Sequence, residues 1–192
     1  MNPRKLLSCC LLMTCCVTTV QANDWSLCRY QPQSLDYPFP RDDQTRFFAD
    51  RAFIDRDGIS RLEGDVTLYD RGRMLRADLI TYEEGRAFLE TRGDVRFQTD
   101  TGLFFESPGG FLHLDTETGR FEHARYRYDP RHARGEARAL EPRGSDTLYL
   151  EGATFTTCDP GRDDWLLSAR HVQLNQDSGQ GTARNVLLRF QG

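Results

Sequence analysis

The chain has 192 residues, 25 Lys+Arg against 29 Asp+Glu, and 21 aromatic residues, of which 12 are Phe and 7 Tyr. That length predicts one domain, the aromatics are enough to build a core and exclude full disorder, and a formal net charge of −4 excludes a nucleic-acid binder. No apolar run long enough for a membrane-spanning helix lies outside the N-terminus.

Residues 1–22 read as a secretory signal peptide. Arg4 and Lys5 precede a largely apolar stretch that ends in Val20-Gln21-Ala22, a small-residue cleavage site. Cys9, Cys10, Cys15 and Cys16 fall inside it, so only Cys28 and Cys158 remain in the mature chain. Their spacing matches neither a zinc site nor a redox pair. In an oxidising compartment the residues themselves allow an internal disulfide or two free thiols.

Residues 23–46 form a leader interrupted by Pro32, Pro38 and Pro40. From residue 47 to 192 the texture is all-β: short stretches rich in Val, Leu, Phe, Tyr and Thr, separated by Gly-Asp, Asp-Gly and Gly-Gly turns. Alternation of period two places Val66 and Leu68 on one face of their strand. Leu79 follows Leu75 and Ala77 in the same way, and Leu89, Val95 and Phe97 do so in the next segment. Leu112, Leu114, Leu148, Leu150, Leu167 and Leu188 extend the apolar set. A related unit recurs: Ala49-Asp50 leads to Gly64-Asp65-Val66, and Ala77-Asp78 leads to Gly93-Asp94-Val95. A degenerate copy runs from Ser168-Ala169 to Asn185-Val186. Units of this kind bury their apolar face only by stacking on neighbours.

Catalytic chemistry finds little support. His113, His123, His132 and His171 lack ligand spacing. Adjacent acids such as Asp163-Asp164 face opposite sides of a strand, and no serine sits in a nucleophile elbow. Arg125, Arg127, Arg131 and Arg134, interleaved with tyrosines, read as a solvated hairpin surface. A carbohydrate-active enzyme would need convergent carboxylates or a metal. The reading is of a non-enzyme that calls for no cofactor and no metal.

The Ala-Asp…Gly-Asp-Val units resemble the OstA-type module of lipopolysaccharide (LPS) transport proteins. The stretch Thr157-Cys158-Asp159-Pro160-Gly161, followed by Trp165, is similar to one in the LPS-assembly family LptD, as is the early Cys28. The resemblance implies an OstA/LptA-like β-jellyroll of two facing antiparallel sheets with open edges, without the family's C-terminal barrel. It implies a periplasmic module, associated with the outer membrane, that shields LPS acyl chains in an apolar groove. The groove candidates are Val66, Leu68, Leu79, Leu89, Val95, Phe97, Leu112, Leu114, Leu148, Leu150, Leu167 and Leu188. The implied partners are LPS and an LptA-like periplasmic bridge protein joined by edge-strand addition at Phe47–Ile54. For a fragment of a longer protein, an outer-membrane barrel with its LptE-like lipoprotein joins them. In the family each cysteine bonds the barrel, and a Cys28–Cys158 pair is an assembly intermediate. From pattern alone a packed core is the simpler reading, and the resemblance favours a vacant groove. The competing readings are a stand-alone LptA-type bridge and a structural adaptor with a packed interior.

Overall fold

The computed structural model describes Cys28 and residues 44–175 and 177–190. The expected signal peptide and nearly all of the expected leader lie outside the described residues. Among the described residues eleven strands follow in chain order: β1 (Arg46–Phe48), β2 (Arg51–Ile54), β3 (Ile59–Asp70), β4 (Arg73–Glu83), β5 (Phe88–Thr99) and β6 (Leu103–His113). Then come β7 (Thr118–Tyr128), β8 (Ala133–Pro142), β9 (Thr147–Phe155), β10 (Trp165–Asn175) and β11 (Gln180–Phe190). Each pairs antiparallel with its predecessor from β3 onward, while β1 and β2 share one edge of β3. The result is a single meander with β1–β2 at one edge and β11 at the other, not closed into a barrel. Short turns make this order. Arg71 and Gly72, both at positive φ, join β3 to β4 in a two-residue hairpin whose twist suits the strands.

Every long strand is irregular at its centre. Between β3 and β4 the register shifts across Gly64-Asp65, and between β4 and β5 across Gly93-Asp94. All four of these residues have positive φ. Farther along, His123, Gly152 and Asn185 also have positive φ. Ladder pairing sets these positions in one line across the sheet, through β7, β9 and β11. The repeated Gly-Asp-Val is therefore the visible part of a crease that crosses the whole sheet. His123 and Gly152 mark two further copies that sequence comparison missed, because there the positive-φ residue is no longer preceded by glycine and followed by valine together.

The crease has two consequences. First, a bulge bends its strand and raises its twist, so a line of bulges folds the sheet. Second, it changes the spacing of inward residues. They stand four apart in β3 (Leu62, Val66) and β5 (Thr91, Val95), but three apart elsewhere, as in Ala77 and Ile80 of β4 or Phe121 and Ala124 of β7. Among the described residues no α-helix covers either face. Even so, Val66, Val95 and Ala124 are 0% exposed and join one cluster with Leu75, Ile80, Phe105, Phe121, Leu140 and Leu150. A helix-free sheet reaches that burial only by closing on itself, the inner surfaces about 10 Å apart. The two facing layers of the jellyroll are thus parts of one continuous sheet.

Immediately inside the crease the side chains are small: Val66, Ala77, Val95, Ser107, Ala124, Ala137, Ala153 and Ala169. Larger ones flank several of them, as Leu75 and Ile80 flank Ala77. Small side chains belong where a fold brings backbones closest, since close-packed interiors tolerate no excess volume.

Each glycine before a crease residue is needed there. A Cβ on Gly64 would enter the Asp50 side chain, and one on Gly93 would enter that of Asp78. Gly93→Ala combines this collision with a φ of +72°, and should cost about 2 kcal/mol. Asp94→Gly, at φ +40°, should be neutral or stabilising. Thermal melts of the two variants check the contrast.

Candidate lipid-binding interior

The sequence-derived apolar set separates into three groups. Val66, Leu89, Val95, Leu148 and Leu150 lie in the core cluster, with Leu68 and Phe97 packed against it. Leu112 pairs with Leu89, so both point to the same side. Leu167 pairs with Phe155 and Leu188, continuing the row that begins Phe47, Leu68, Leu75 and Phe97. Leu188 is 47% exposed although it faces inward, because among the described residues no strand pairs with the outer edge of β11. Leu114 lies just beyond β6, where its N–H donates to the Ala87 carbonyl, and its side chain is exposed. Leu79 is a correction: it pairs with Glu63 and Arg92 on the outer surface. Strict alternation carries Leu75 and Ala77 on to Leu79, but the crease moves the inward position to Ile80, which is 1% exposed.

Sequence reasoning also missed Phe105, Phe121 and Leu140 as interior residues. Gly64-Asp65 and Gly93-Asp94 carried the signal for the shift, since Gly-Asp inside an alternating stretch marks a bulge.

The interior is closed in the middle and opens toward the edges. From β4 to β9 the inward aliphatic and aromatic side chains fill the space between the layers. Toward β10 and β11 burial falls, through Val172 and Leu174 to the exposed Val186, Leu188 and Phe190. At the other edge Phe47 and Phe48 are exposed. An apolar surface of this kind can hold alkyl chains by burial alone.

Two polar side chains are held by local hydrogen bonds, Tyr126 near the interior and Arg120 on the outer surface. The Tyr126 hydroxyl donates to the Thr154 carbonyl at 2.7 Å. It reaches across Gly135, where a Cβ would collide with that carbonyl. Burial pushes the Tyr126 hydroxyl well above the usual phenol range. On the outer surface Arg120 donates to Glu122, Glu141 and Glu151. Hydrogen bonds from Arg138 and Arg120 outweigh the desolvation of Glu151 and hold its carboxyl below the usual range.

Cys28 and Cys158 form a disulfide, with Cα atoms 4.5 Å apart. The internal bond is therefore the one of the two open alternatives that the fold realises. Arg134 orders the loop around it, donating to the carbonyls of Cys158 (2.6 Å), Asp159 (2.8 Å) and Arg162 (3.0 Å) and to the Asp163 carboxylate (2.7 Å). Thr156 adds a second tie, accepting from the Cys158 N–H and donating to the Trp165 carbonyl. Asp164 lies beside the two sulfurs, but sulfurs bonded to each other supply no thiolate for a metal.

The chain is similar in sequence to proteins named LPS-assembly protein LptD. LPS-assembly protein LptD of Nitrosococcus oceani is 40% identical over 142 residues, covering 74% of this chain and 19% of its own length. LPS-assembly protein LptD of Acinetobacter baylyi is 33% identical over 141 residues, 73% of this chain and 17% of its own length. This chain is homologous to part of LPS-assembly protein LptD. It spans about a fifth of the length of the LptD relatives it matches. No family model matches it. Among solved structures, LptH, the LptA-homologous periplasmic component of the Pseudomonas aeruginosa lipopolysaccharide transport device, covers 81% of this chain and 100% of its own. Its TM-score is 0.36 at 11% identity, and the architecture of the LptD-related chain rests on its own strand order.

Two substitutions separate the faces. Ile80→Ala should destabilise by about 2–4 kcal/mol through lost burial and a cavity, whereas Leu79→Ala should cost under about 1 kcal/mol. Denaturant midpoints report both. A Tyr126 hydroxyl that is harder to ionise in the folded state than in the unfolded one makes stability fall as pH rises above the free phenol value of about 10. That alkaline loss should be smaller in Tyr126→Phe, measured by melting between neutral pH and pH 11.

Proposed function

We propose that this chain is a periplasmic module that receives the acyl chains of LPS on its apolar inner surface and passes them toward the outer membrane. The observation that carries this reading is the continuity of that surface. One cross-strand row runs from Phe47 through Leu68, Leu75, Phe97 and Phe105 to Leu167 and Leu188, uncharged throughout and exposed at both ends. Homology to LptD supports the coarse assignment to LPS transport. Burying about a dozen methylenes would stabilise a bound chain by roughly 10 kcal/mol relative to water. Passage between abutting apolar surfaces avoids that exposure. A chain lodged along the row must part the packed middle, so entry begins at an edge and proceeds by widening the fold at the crease.

Edge-strand addition by an LptA-like bridge protein at β1–β2 would cover Phe47, Phe48, Phe53 and Ile54 and align two interiors. In longer relatives the β11 side would lead toward an outer-membrane barrel with its LptE-like lipoprotein. The closed middle of the interior favours one second reading, a structural adaptor whose core never admits lipid.

Photocrosslinking residues placed singly at Phe47, Phe97, Leu167 and Leu188 distinguish the two. In cells making LPS, the expected result is labelled LPS at all four and none at Leu79. Silence at every inward position, with crosslinks to protein at the edges, would leave the adaptor.

A further inference from the structure

The turns of the folded sheet fall on two rims, and backbone hydrogen bonds tie each rim lengthwise. On one rim the Asp100 N–H donates to the Gly72 carbonyl at 2.8 Å and the Asp129 N–H to the Gly102 carbonyl at 3.0 Å, which links the β3–β4, β5–β6 and β7–β8 turns. On the other rim Glu84 donates to Gly58, Leu114 to Ala87 and Gly144 to Glu117, at 3.0, 2.8 and 3.2 Å. Strands of 11 residues such as β6 and β7 run from one rim to the other. If they were straight, the rims would stand about 34 Å apart.

Instead the rims meet. Arg73, at the start of β4 on the first rim, places its Nη1 3.6 Å from Oε1 of Glu117, in the β6–β7 turn on the second. Farther along, Nη2 of Arg131 in the β7–β8 turn sits where a Cβ on Gly179 of the β10–β11 turn would be 3.3 Å away. Side chains reach so far only because the crease doubles the strands back. There the ladders are interrupted, between Glu63 and Val66, Arg76 and Leu79, and Arg92 and Val95, so it is the line along which the sheet bends most easily. The layers therefore share a hinge at the crease and touch again across from it, through side chains in water. The Arg73 and Glu117 side chains are 57% and 38% exposed. An ion pair so exposed is weak and screened by salt. It holds the rims together at rest and gives way without unfolding either layer.

We propose that Arg73 and Glu117 form a clasp between the two rims, and that the packed middle of the interior becomes reachable when this clasp parts and the layers swing about the crease. The ladders within each layer stay intact in that motion. Passage of an acyl chain between the parted rims rests on the proposed function; the clasp itself does not.

The sequence after residue 22 contains no lysine, so Arg73→Lys puts a lone side-chain amine on the rim. A water-soluble carbodiimide, added to the full chain without LPS, should condense that amine with the Glu117 carboxyl into an amide, losing one water, as mapped by mass spectrometry. Arg73→Lys/Glu117→Gln should give no such product. The interior is then probed with Nile red, an uncharged dye that brightens in apolar surroundings. Arg73→Glu and Glu117→Arg should each strengthen dye binding about twofold to fivefold, the weight of an exposed pair. The charge swap Arg73→Glu/Glu117→Arg should return to the wild-type value. The joined form of Arg73→Lys should bind dye more weakly than the same variant before joining. Exposed edge residues bind dye in every form, so only the differences report on the clasp. Absence of the amide, single charge variants that bind dye as the wild type does, or equal binding before and after joining would overturn the proposal. LPS labelling at Phe97 is read in the same forms. Its loss on joining supports passage between the rims, and equal labelling overturns that passage. Labelling absent from every form removes the proposed function, while the amide and the dye still decide the clasp.

Discussion

An odd step in the middle of every long strand is the constraint on which the rest of this molecule depends. A regular antiparallel sheet without helices has one surface too many facing water. Here the Gly64-Asp65 and Gly93-Asp94 bulges, with His123, Gly152 and Asn185 along the same line, bend each strand at one level. The sheet closes on its own apolar surface, and the side chains beside the bend are small enough to allow it. The hydrophobic effect supplies the driving force. The positive-φ backbone decides where the sheet yields.

The same device sets what the interior can do. Because the fold closes by bending and not by joining its edges, β1–β2 and β11 stay open. The inner surface then grades from packed, at Val95 and Ile80, to exposed, at Phe47 and Leu188. A closed barrel would have neither entry nor exit along that row, and a fully packed sandwich would have no exposed continuation of it. The architecture offers an apolar path whose ends are accessible and whose middle is occupied by side chains. The Cys158 loop, tied down by Arg134 and Thr156, lies outside that path beside β8 and β10.

How much was legible in the residues follows from the range of each interaction. Gly-Asp, Asp-Gly and period-two alternation are local, so the strand-rich body and its hairpins could be read along the chain. Val66, Leu89, Val95, Leu148 and Leu150 were found because each stands in a regular half-strand. Leu79 was misplaced and Ile80 overlooked because they lie just beyond the bend, where one unpaired residue exchanges the faces. The Cys28–Cys158 bond joins residues 130 apart, and the residues alone left it open beside free thiols.

By itself, then, the amino-acid order determined an all-β chain with repeated turns, an uncharged apolar face and the family it resembles. These depend on neighbours in sequence and on side-chain chemistry. Only the tertiary structure decided that the bulges align into one crease, which of Leu79 and Ile80 enters the interior, and that the middle is packed while the edges stay open. Alignment across ten ladders is a property of strand register, and register is settled by contacts between residues far apart in the chain.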